Sequence, residues 1–128
     1  MYKQNEDAPL ALVFGHDDLL SRTRGWLLSA AGYRSLFVSS LRGFRETSLA
    51  EPVRLIVVCQ SLSAGECAAV ADFAAEHVQQ ARLLVLFGQR MACEPNGISV
   101  ILDATSGPAV FVNTAKRMLA SQAALTTH

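Results

Sequence analysis

The chain has 128 residues, 51% of them apolar and 17% charged, which is enough apolar side chain for one filled core and rules out a disordered chain. Eleven Lys and Arg balance eleven Asp and Glu with no basic run, so non-specific nucleic-acid binding and electrostatic attachment to a membrane surface are excluded. Residues 1–9 carry acids and no apolar stretch of the signal-peptide kind, and no apolar run approaches the length of a membrane span, so a cytoplasmic protein is expected.

Ala11 to Phe14 is the first of four short, continuous apolar runs; the others are Leu55 to Cys59, Leu83 to Phe87 and Ser99 to Leu102. Runs rich in Val, Ile and Leu that do not alternate predict strands of a parallel sheet covered on both faces. Asp18 to Ala31 places Leu19, Thr23, Leu27 and Ala30 or Ala31 at helical spacing, and Gly32 stands where a left-handed residue would end that helix. Arg34 to Ser39 reads as an edge or second strand, with Leu36 and Val38 on one face and Phe37 on the other. Leu41 to Leu49 is a shorter helix, ended before Pro52. Ser63 and Glu66 form a capping box that opens a helix with Cys67, Val70, Ala71 and Ala74 inward. Between Gly88 and Gly97 there is room for a helix of one or two turns at most, and Pro95-Asn96-Gly97 is turn chemistry. Past Pro108, Phe111, Ala115, Met118 and Leu119 form the inner stripe of a last helix whose outer face carries Asn113, Lys116 and Arg117.

This alternation calls for an open parallel sheet with helices on both faces. In such a sheet ligands and chemistry sit at the carboxyl ends of the strands, here just after Phe14, Cys59, Phe87 and Leu102. The loop after the first strand has neither a Gly-rich dinucleotide fingerprint nor a P-loop.

The segment LVFGHDDLLSRTRGWLLSAAGYRS resembles the opening of a two-component response-regulator receiver domain, an apolar strand running through acidic residues into a helix that ends near Gly-Tyr. VRLIVVCQSLSAGE is similar to the third strand and following loop of that CheY-like family, where its phospho-accepting aspartate stands. The likeness runs from Leu10 to Leu119. It implies a flavodoxin-like (CheY-like), doubly wound α/β fold of five parallel strands in the order 2-1-3-4-5, here with a shortened or missing fourth helix. The implied organisation is a tail over 1–9, a receiver-like domain over 10–122 and a tail over 123–128.

Receiver chemistry needs an acidic pair and the acceptor aspartate to hold Mg²⁺ through oxygen ligands. The metal and a lysine offset the phosphoryl charge, and a Ser or Thr at the end of the fourth strand reads the phosphate. Anchored on Gly32-Tyr33, the resemblance sets the acidic pair at Gly15 and His16, with Asp17 next, and the acceptor at Cys59. It sets the Ser/Thr position at Phe87 and the lysine position at Asp103 or Gly107. The acceptor and the lysine are thus missing, which implies a degenerate pseudo-receiver with no aspartyl phosphorylation. A shift of register would bring Asp17 and Asp18 in as candidate ligands of a residual Mg²⁺ site; otherwise they cap the first helix.

Several side chains admit both a functional and a plain reading. Cys59 and His16, on neighbouring strand ends, could form a reactive or redox pair, or Cys59 is a small buried thiol standing where no charge is needed. Cys67 reads as core, Cys93 as an exposed thiol, and His77 as a complement to its helix end. Trp26 falls beside the apolar stripe and is a candidate contact anchor. Arg22, Arg24, Arg42 and Arg45 read as a solvated face.

The expected function is a non-catalytic signalling module, without cofactor, that acts by contact with a signalling protein or with itself. The alternatives are a phosphorelay receiver with residual Mg²⁺ binding, and a small-molecule or redox-sensing module using His16 and Cys59.

Overall fold

The computed structural model of the chain describes residues 8–88 and 99–126. In chain order these form β1 (Leu10–Phe14), α1 (Asp18–Ala30), β2 (Arg34–Val38), α2 (Leu41–Ala50), β3 (Val53–Val58), α3 (Ala64–His77), β4 (Arg82–Phe87), β5 (Ser99–Asp103) and α4 (Pro108–Thr126). All strand pairings are parallel, and the sheet order is β2-β1-β3-β4-β5. This is the doubly wound arrangement expected from the sequence. The shortened or missing fourth helix expected between Gly88 and Gly97, and Cys93 within that stretch, fall outside the described residues.

Each face of the sheet carries its own core. Leu10, Leu12, Phe14, Ile56, Val58 and Val85 point to the side covered by α2 and α3, where they meet Phe44, Cys67 and Val70. Ala11, Val13, Leu55, Val57, Leu84 and Leu86 point to the other side, where α1 and α4 bring Leu28, Phe111, Ala115 and Met118. The alternation of strand side chains between two buried faces explains why β1 and β3 are apolar at nearly every position. Cys67 is core, as expected.

The ends of the helices follow local chemistry. Gly32, at φ +100°, continues α1 into a left-handed turn: Gly32 N donates to Ser29 O at 3.1 Å, and Tyr33 N to Leu28 O at 2.9 Å. Ser63 Oγ accepts from Glu66 N at 3.2 Å while Glu66 Oε1 accepts from Ser63 N at 2.9 Å, so the capping box is complete. Among the described residues no helix is long and apolar enough to cross a membrane.

The inner face of α1 departs from the expected stripe. Ser21, Arg24, Gly25 and Leu28 are the buried residues, while Leu19 is 73% exposed. The helix is rotated because Gly25 packs against the edge strand: a Cβ there would stand 2.4 Å from Phe37 Cζ. That approach turns Ser21 and Arg24 inward and sends Leu19 and Trp26 out, both 73% exposed. Arg24, expected on a solvated face, is only 8% exposed.

Tyr33 ties α1 to α4, its hydroxyl donating to Ala115 O at 3.1 Å. Burial pushes its pKa up to about 12, with Arg82 pulling partly the other way. A raised folded pKa gives a contribution that is complete below the unfolded value near 10 and is lost as pH rises through about 12. Spectrophotometric titration is therefore expected to show one tyrosine ionising only near pH 12, together with falling stability above pH 10. In Tyr33→Phe that late ionisation is expected to vanish.

Candidate functional site

The carboxyl ends of β1 and β3 lie side by side, held by Cys59 N donating to Phe14 O at 3.0 Å. Gly15 leaves β1 in close contact with Cys59: a Cβ on Gly15 would stand 2.9 Å from Cys59 Cβ and 2.9 Å from Ser21 Oγ. Here the structure gathers Gly15, Ser21, Arg24, Cys59 and Gln60. Arg24 Nη2 donates to Gln60 Oε1 at 2.9 Å. Burial pushes the Cys59 thiol up, and the Arg24 guanidinium and Ser21 beside it pull only partly back. At neutral pH this thiol stays protonated.

A second cluster joins the two loops that follow β1 and β3. His16 Nε2 lies 2.8 and 2.9 Å from the two carboxylate oxygens of Glu66, and His16 N donates to Ser61 Oγ at 2.9 Å. Glu66 is held below the usual carboxylate range, chiefly by the Ser63 backbone N–H and then by His16. One carboxylate therefore caps α3 and clasps the β1–α1 loop to the β3–α3 loop. His16 is engaged with Glu66 and not with Cys59, so the two residues considered as a reactive pair stand in separate clusters.

The remaining sequence-derived positions have structural roles. Asp17 caps α1, its Oδ1 accepting from Leu20 N at 3.1 Å. Asp18 pairs with Arg22 at 3.2 Å on the exposed outer face. Phe87 ends β4. Asp103 ends β5 and closes the next turn, its Oδ1 accepting from Thr105 N at 2.8 Å and Thr105 Oγ1 at 2.7 Å. These bonds hold its carboxyl below the usual range. Gly107, at φ +98°, makes the turn into α4 and lines a cavity together with Arg24 and Asp103. Among the described residues no three His, Cys, Asp or Glu are grouped closely enough to hold a metal ion.

Sequence reasoning missed Arg24. An apolar-stripe reading sets arginine outside, and the signal for the other phase was Gly25, a helix-interior glycine that marks close packing.

No protein-family model and no curated protein matches the chain. Solved structures do. The signal receiver domain of a LuxO repressor protein from Vibrio parahaemolyticus superposes with a TM-score of 0.79 at 10% identity, covering 94% of this chain and 96% of that one. A response regulator receiver domain protein from Bacillus halodurans gives 0.74 at 12% identity, covering 88% and 97%. The beryllofluoride-activated receiver domain dimer of NtrC4 gives 0.72 at 16% identity, covering 88% and 98%. The chain thus has the fold of response-regulator receiver domains over nearly its whole length.

Proposed function

We propose that the chain is a receiver-like signalling module that works in the cytoplasm by contact with a protein partner or a second copy, without catalysis and without carrying a phosphoryl group. The observation that carries this reading is the content of the crevice at the ends of β1 and β3. A thiol and a guanidinium stand there, with Gly15 packed against Cys59. These residues do not fit Mg²⁺. A hard cation takes oxygen ligands, and a buried arginine beside Cys59 repels it. The nearby acids are already committed: Asp17 to its cap, Asp18 to Arg22, Glu66 to His16 and Ser63. At the end of β4 stands Phe87, with no hydroxyl to read a phosphate, and the end of β5 carries an acid in place of a base. Leu19 and Trp26, seven residues apart on the outer side of α1, are large apolar side chains that a partner would cover.

The test is a Mg²⁺ titration with and without beryllofluoride, followed in two-dimensional amide NMR spectra. No saturable shift is expected near Phe14, Cys59 and Phe87. Shifts that saturate and cluster there would mean that the crevice binds metal and phosphoryl mimic, and the reading would be wrong.

A further inference from the structure

We draw no further inference here: the strongest candidate, the surface groove between α1 and the edge strand β2 where Trp26 and Phe37 stand exposed, is an unpartnered apolar face, and nothing in the structure shows what covers it.

Discussion

Replacing Phe44 by alanine is expected to lower the free energy of unfolding by about 3–5 kcal/mol. Phe44 is fully buried and is the large apolar side chain that α2 sends into the core; Ser48 is the helix's other buried residue. Its ring stacks on Phe14 of β1, with centroids 5.8 Å apart and planes 16° from parallel, and meets Phe73 of α3 edge-on at 5.6 Å. One side chain therefore joins α2 both to the sheet and to α3. Each aromatic contact adds about 0.5–1.5 kcal/mol beyond the area buried. By contrast, the exposed Arg42–Glu46 pair on the same helix contributes about 0.3–0.5 kcal/mol. A domain of this size has about 5–15 kcal/mol in all, so the variant loses a large share of its stability. Urea unfolding measures it. A loss below about 1 kcal/mol with an unchanged slope would mean that Phe14 and Phe73 collapse into the space and that α2 is held by something else.

The sheet was legible because β1, β3 and β4 are buried on both faces, and burial of that kind writes itself as unbroken Val, Ile and Leu. Gly32 and the Ser63–Glu66 pair were legible because local hydrogen bonding alone dictates those residues. The phase of α1 was not. Apolar spacing pointed to Leu19, Thr23 and Leu27, yet the buried face is Ser21, Arg24, Gly25 and Leu28. Tertiary contact with Phe37 set that phase, and no property of the helix alone records it. The proposed character of the crevice rests on a resemblance that sets Cys59 at the acceptor position and Asp103 or Gly107 at the lysine position, whereas its occupation by Arg24 depended on the rotation of α1. The clasp of His16 on Glu66 was hidden for a similar reason, since it joins residues 50 apart in sequence across two loops.

Gly15→Ala is expected to cost about 1–3 kcal/mol, although a glycine-to-alanine change outside the left-handed region is ordinarily mild. Gly15 does not have a positive φ, so the cost is steric. The new methyl group would stand 2.9 Å from Cys59 Cβ, 2.9 Å from Ser21 Oγ and 3.0 Å from Cys59 Sγ. Neither backbone yields readily, because Gly15 N donates to Val38 O at 3.2 Å and Cys59 N to Phe14 O at 3.0 Å. Cys59 Cβ is fixed to that backbone and cannot swing aside as the tip of a long side chain would. Cys59→Gly removes two of the three opposing atoms, so the cost of Gly15→Ala in that background is expected to fall by about 1 kcal/mol. Strict additivity in the double-mutant cycle would refute the contact as the cause. The same contact bears on the proposed loss of receiver chemistry. A carboxylate at position 15 needs room that Cys59 now fills. On that reading an aspartate placed at position 59 would meet the Arg24 guanidinium and pair with it before any metal could. A working acidic site therefore requires coordinated change at Gly15, Arg24 and Cys59, and reversion of the acceptor position alone is expected to leave the crevice without metal binding.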